Sequence, residues 1–135
     1  MTEPTTAEKV AAANEAALTL ANRPTEERDA ALHAIADAIE DEQARILAAN
    51  EEDVAAAEER LAAGEYSQAL VDRLQLSPGK LESIAEMVRS VAGQDDPLGR
   101  TLSARRLDDS LELYKVGVPI GVIGTVFESR PDALV

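Results

Sequence analysis

The chain has 135 residues, a length for one domain, and folding a domain of this size buries roughly two thirds of the unfolded surface. Its 26 acidic residues against 13 Lys and Arg give a formal net charge of -13, the wrong sign for a phosphate backbone, which excludes a nucleic-acid module. Cys is absent, so the chain offers neither a disulfide framework nor a thiol nucleophile. No apolar run approaches the ~20 residues of a membrane span, and the opening MTEPTTAEKV lacks the basic-then-apolar order of a signal peptide. A cytoplasmic protein is the simplest reading. Aromatic residues are 2% of the chain, so the core must rest on Ala, Leu, Ile and Val, with helices in close approach. Lysines occur only at Lys9, Lys80 and Lys115. An Ala-rich, Lys-poor, acidic surface suits multimolar salt, where the screening length shrinks to about 3 Å and self-repulsion is tolerated. An ordinary acidic protein from a high-GC genome has the same composition.

The first three-quarters read as helix. Val10, Ala13, Ala17 and Leu20 recur at helical spacing from Thr6 to about Asn22. Pro24, with Glu26 and Glu27 behind it, suits a first helical turn. Leu32, Ile35, Ala36, Ile39, Ile46 and Leu47 form the apolar stripe of the longest helix. Asn50 before Glu51, Glu52 and Asp53 reads as a helix restart with an N-cap, ending at a left-handed Gly64. A short helix is expected from Ser67 to about Leu74. Ser77-Pro78 opens another, with Leu81, Ile84, Val88 and Val91 on one face and Gly93 closing it.

After Gly93 the character changes. Gln94 to Gly99 is a turn-rich linker, and Thr101 to Leu107 and Leu111 to Val118 read as a hairpin around Asp108-Asp109-Ser110. Pro119 interrupts, and Ile120 to Phe127 carries no charge on either face, the pattern of a strand buried on both sides. The fold class is α/β: a helical layer, a hairpin, then one buried strand.

Glu128-Ser129-Arg130-Pro131-Asp132 places polar groups at the carboxyl end of that strand, where α/β folds build ligand sites. Ser129 offers a hydroxyl, Arg130 a fork for phosphate or carboxylate, Pro131 a rigid turn, and Asp132 a cap for a following helix. The same residues also make a strand-to-helix turn with no ligand. Gly117, Gly121 and Gly124 lack the G-x-G-x-x-G spacing, and Gly121 and Gly124 read as allowing close backbone approach. His33 is the single histidine, without a second His or a Cys to complete a metal site. Glu51-Glu52-Asp53 and Glu58-Glu59 lie on helices without calcium-loop spacing and read as solvated faces. Arg105-Arg106 in the hairpin can meet a second subunit or a phosphate, or simply face solvent.

The segment VPIGVIGTVFESRPDALV, Val118 to Val135, closely resembles the strand and turn of the γ-glutamyl phosphate reductase family, and the same stretch of bifunctional pyrroline-5-carboxylate synthases. Ala48-Ala49-Asn50-Glu51-Glu52-Asp53 is similar to that family's A-N-x-x-D segment. Leu70 to Leu76 resembles its L-x-D-R-L-x-L, and Asp96-Pro97-Leu98-Gly99 its D-P-x-G. The motifs fall in the family's order and cover about Asn50 to Val135.

The resemblance implies an aldehyde-dehydrogenase-like fold. Residues 1–100 would be the N-terminal helical part of the cofactor domain, 101–118 an oligomerisation hairpin joining subunits, and 119–135 the first strand and turn of the NADP-binding sheet. It implies NADPH-dependent reduction of L-glutamate 5-phosphate to L-glutamate 5-semialdehyde, with release of phosphate, in proline biosynthesis. Phe127, Glu128, Ser129, Arg130 and Pro131 would sit against the cofactor, with Arg130 where the superfamily often places an oxyanion-stabilising Asn. The family's nucleophilic Cys lies in a part absent here, so the chain is expected to be an N-terminal fragment, inactive alone and homo-oligomeric in the whole enzyme. Other readings are a different member of the superfamily, most of which carry an aromatic-Asn pair at this turn, and a non-catalytic acidic helical module.

Overall fold

A computed structural model describes residues 3–134; Met1, Thr2 and Val135, at the outer ends of the expected segments, lie outside the described residues. Five helices precede a two-stranded hairpin: α1 (Thr6–Leu20), α2 (Thr25–Asp41), α3 (Gln43–Ala62), α4 (Gln68–Leu74), α5 (Pro78–Ala92), β1 (Thr101–Asp108) and β2 (Leu111–Val116). A 3-10 turn covers Pro131–Leu134. Two units are distinguished, one of Met1–Arg28 with Gln94–Gly124, the other of Asp29–Gly93 with Thr125–Val135.

In the first unit, α1 starts at a capping box: the Glu8 amide donates to Thr5 Oγ1, and the Thr5 amide donates to Glu8 Oε2 at 2.7 Å. Of its expected stripe only Ala13 and Ala17 are half-buried; Val10 and Leu20 stay exposed. The linker is held by Asp96. Its carboxylate accepts from Thr25 Oγ1 at 2.6 Å, from the Arg28 guanidinium and from the Leu98 amide at 2.9 Å. The Asp of the D-P-x-G motif therefore has a structural task.

The hairpin is antiparallel, with Ala104 opposite Tyr114 and Arg106 opposite Glu112, and irregularities near both ends. Both faces of both strands are exposed. Strand pairing ends at Val116, two residues short of expectation. There Gly117 donates to the Arg100 carbonyl and accepts from the Gly99 amide. A Cβ at Gly117 would collide with the Pro97 carbonyl, so this glycine, and not Gly121 or Gly124, marks the close backbone approach.

Ile120 to Phe127, expected as a buried strand, is neither paired nor buried. Ile120 is 88% and Val126 100% exposed. A strand exists as a member of a ladder, and the described residues contain only β1 and β2, which pair with each other. Gly121, at φ 97°, also breaks the extended path.

In the second unit α2 packs on α5 through small residues. Ala36 and Ala85 are fully buried beside Val88, with Leu32 and Ile39 against them. Small and medium aliphatic side chains fill this contact, as the scarcity of aromatics requires. Leu81, Ile84 and Val88 of α5 are buried as expected and are joined by Ala85 and Ala92, while Ile35 and Val91, also expected in the apolar stripes, are exposed. The helix junction falls at Glu42, not at Asn50. Gly64 follows α3 at φ 76°, with the Glu65 amide donating to the Arg60 carbonyl and the Gly64 amide to that of Leu61. These two bonds close the helix as the left-handed glycine predicts. Ser77 Oγ accepts from the Lys80 amide at the start of α5, and Pro78 follows as its first residue.

Candidate functional site

The turn begins at Phe127 and reverses at Ser129, a non-glycine residue at φ 53°. The left-handed backbone there swings successive side chains in different directions. Pro131, not Asp132, opens the 3-10 turn, and the Arg130 carbonyl accepts from the Ala133 amide at 3.1 Å. Asp132 lies inside that first turn and does not stand before it as a cap.

The five expected residues therefore face different surroundings. Phe127 and Pro131 border a mainly apolar hollow of ≈ 340 Å³ with Ile39, Ile46, Asn50 and Leu81. Arg130 and Pro131 border a second, of ≈ 530 Å³, whose other walls include Arg73, Ser77 and Lys80. Ser129 reaches a third, of ≈ 210 Å³, beside Asp53, Arg60 and Tyr66. Glu128 is exposed and borders none of these three. The turn thus meets the α3–α4–α5 layer at several points. The second hollow is large enough for a small ligand and is provided with both charge and apolar surface.

Asn50 organises the rim of these hollows. It is 8% exposed inside α3, where its Nδ2 donates to the Leu74 carbonyl at 2.9 Å and its Oδ1 accepts from the Leu76 amide at 2.8 Å. One side chain so satisfies both backbone groups of the α4–α5 link. The expected N-cap role fails because the amide is committed to this link and the chain around it is already helical. The sequence carried a signal for it: Ile46, Asn50, Val54 and Ala57 lie on one face of a helix, which places a polar amide among apolar neighbours. Arg73 and Lys80, which the sequence reading also passed over, lie at the two ends of the segment that Asn50 holds.

Of the remaining candidates, Asp53 borders this region, at the hollows that Ser129 and Phe127 line. His33, Glu51, Glu52, Asp53, Glu58 and Glu59 are exposed, and among the described residues no group of acidic or His side chains is arranged to hold a metal ion. Arg105 and Arg106 are both exposed, and Arg106 pairs across the hairpin with Glu112 at 3.6 Å. No described helix is long and apolar enough to cross a membrane.

No family model matches the chain. Over all 135 residues, however, it is 72% identical to the Gamma-glutamyl phosphate reductase of Natronomonas pharaonis, spanning 31% of that protein. Over its whole length the chain is similar to a segment of the gamma-glutamyl phosphate reductases. A Delta-1-pyrroline-5-carboxylate synthase B of Arabidopsis thaliana is 46% identical over 131 residues, 97% of the chain and 18% of that protein. The structure agrees: the crystal structure of Gamma-glutamyl phosphate reductase from Saccharomyces cerevisiae superposes with a TM-score of 0.84 at 34% identity, over 98% of the chain and 33% of the yeast protein. The chain spans less than a third of the reductases it matches. The mostly helical segment with one antiparallel hairpin fits part of an aldehyde-dehydrogenase-like fold, as the motif order predicts.

Proposed function

We propose that this chain is part of a longer enzyme that reduces L-glutamate 5-phosphate to L-glutamate 5-semialdehyde, releasing phosphate, in proline biosynthesis. The observation that carries the reading is the 72% identity to a Gamma-glutamyl phosphate reductase along the entire chain. The nucleophile of that chemistry lies outside this segment, which has no Cys. The segment's work is binding and placement.

NADPH, when bound, supplies the hydride. The turn suits such a group: Arg130 presents an exposed guanidinium fork suited to a phosphate, and Phe127 offers an aromatic face at an apolar hollow. In this reading Phe127, Glu128, Ser129, Arg130 and Pro131 line the cofactor, and Pro131 fixes the backbone so that Arg130 is held ready. The helical residues 1–100 belong to the cofactor domain, 101–118 join subunits into a homo-oligomer, and 119–135 open the NADP-binding sheet. Apolar side chains exposed on the hairpin, Leu102, Leu113 and Val116 among them, support the subunit contact. The protein works in the cytoplasm, and its acidic surface is an adaptation to salt.

The test is to express the full-length protein and assay phosphate-dependent NADP reduction with glutamate 5-semialdehyde. Activity lost on replacing a single downstream Cys supports the proposal. An inactive, folded full-length protein, or one that prefers unphosphorylated aldehydes without phosphate, overturns it.

A further inference from the structure

The wall of the ≈ 530 Å³ hollow has a charge balance opposite to that of the chain. Arg73 of α4, Lys80 of the first turn of α5 and Arg130 of the turn converge there, against two carboxylates, Asp72 and Asp132. Over the whole sequence acids outnumber bases, 26 to 13. The arginines at 23, 28, 45, 89, 100 and 106 each pair with a carboxylate, whereas Arg73, Lys80 and Arg130 form no ion pair among the described residues.

Their donors are only partly committed. Arg73 gives its Nε to the Ala69 carbonyl at 2.9 Å, which leaves both terminal nitrogens. Lys80 gives one proton to the Gln75 carbonyl at 2.5 Å and keeps two. Asp72 already accepts from Gln68 Nε2 at 2.8 Å. Leu76 and the buried Ile84 add apolar surface to the same hollow.

We infer that this hollow is an anion subsite, in which Arg73, Lys80 and Arg130 hold a phosphate or carboxylate while Leu76 and Ile84 take the aliphatic part of the ligand. Only the ligand's identity rests on the reductase reading: the anionic group belongs to L-glutamate 5-phosphate or to a phosphate of the cofactor.

The experiment is calorimetric titration of inorganic phosphate, at fixed ionic strength, into the full-length protein and its Arg73→Gln, Lys80→Gln and Lys80→Arg variants. Losing one charged hydrogen-bond donor should weaken phosphate roughly tenfold in each Gln variant. Lys80→Arg, which keeps charge and donors, should bind like the wild type even if a Gln variant folds poorly. Titrating NADP into the same proteins separates the sources: unchanged NADP affinity assigns the group to the substrate, and a parallel loss assigns it to the cofactor. Wild-type phosphate affinity in both Gln variants, with circular dichroism unaltered, overturns the subsite, as does a Lys80→Arg protein that is folded but as weak as Lys80→Gln. Phosphate binding that responds as expected in a protein without reductase activity overturns the reductase reading and leaves the subsite standing.

Discussion

Arg89 of α5 and Glu40 of α2 meet through two parallel bonds, Nη1 to Oε1 at 2.6 Å and Nη2 to Oε2 at 2.8 Å, while Nη2 also reaches Asp37 Oδ1 at 2.7 Å. This fork joins the same two helices that share the Ala36–Ala85 cluster, whose small residues bury little area. The hydrogen bond from Arg89 holds the Glu40 carboxyl below the ordinary carboxylate range, and Glu40, then Asp37, push the Arg89 guanidinium up.

The depressed Glu40 value fixes a pH dependence. A carboxyl with a lowered folded-state pKa stabilises the fold at neutral pH, above its unfolded value, and that contribution fades as pH falls through the folded value. Glu8, held down by Thr5, and Asp96, held down chiefly by Thr25 and the Leu98 amide, act in the same direction. Glu40→Gln should lower the melting temperature at pH 7, and the difference from wild type should shrink below about pH 4. A gap that persists or widens in acid contradicts the assignment.

Asn50→Ala strips a donor from the Leu74 carbonyl and an acceptor from the Leu76 amide in a buried setting. The expected loss is about 2 kcal/mol by urea unfolding. Asn50→Asp keeps the acceptor alone and should fall between. An alanine variant within 0.5 kcal/mol of wild type, roughly the scatter of ordinary surface changes, removes Asn50 from its organising place.

Glycines separate by mechanism. Gly64→Ala forces a side chain into a left-handed position with open space around it, so the cost should be about 1 kcal/mol, from backbone strain alone. Gly117→Ala drives a methyl group into the Pro97 carbonyl and requires the backbone to move, so it should cost more and disturb amide resonances from Pro97 to Arg100. Gly124→Ala meets nothing among the described residues and should be the mildest of the three. Thermal melts of the three variants test the ranking.

If the acidic surface is adapted to salt, raising KCl from low to multimolar concentration should increase helicity, because screening relieves the repulsion within a chain of net charge -13. Circular dichroism at 222 nm that stays flat across that range opposes the adaptation.

Much of the architecture is legible in the residues. Ser77-Pro78 announces α5, Gly64 the end of α3, and Asp108-Asp109-Ser110 the hairpin, whose first strand takes in Asp108, because each rests on a local backbone rule. Leu70 to Leu76 and the other motifs point to the reductases because their identity and order survive without any knowledge of packing. The failures concern partners distant in sequence. Asn50 looks like a cap until Leu74 and Leu76 lie beside it. Ile120 to Phe127 has the composition of a buried strand, but composition does not state what the strand pairs with. Arg73 and Lys80 look like ordinary helix-end cations, and only the fold sets them around the same hollow as Arg130.

Asn50 also sets the clock of its neighbourhood. α4 has seven residues, well short of the ~12–15 that a helix needs to persist by itself in water. Left alone, its end would fray faster than the long helix beside it. Because the Leu76 amide donates to a side chain rooted in the interior of twenty-residue α3, that proton is shielded until the longer helix itself opens. In hydrogen exchange Leu76 should follow α3 and outlast its neighbours in α4, so the loop leading into Lys80 keeps its shape on the timescale of its larger support.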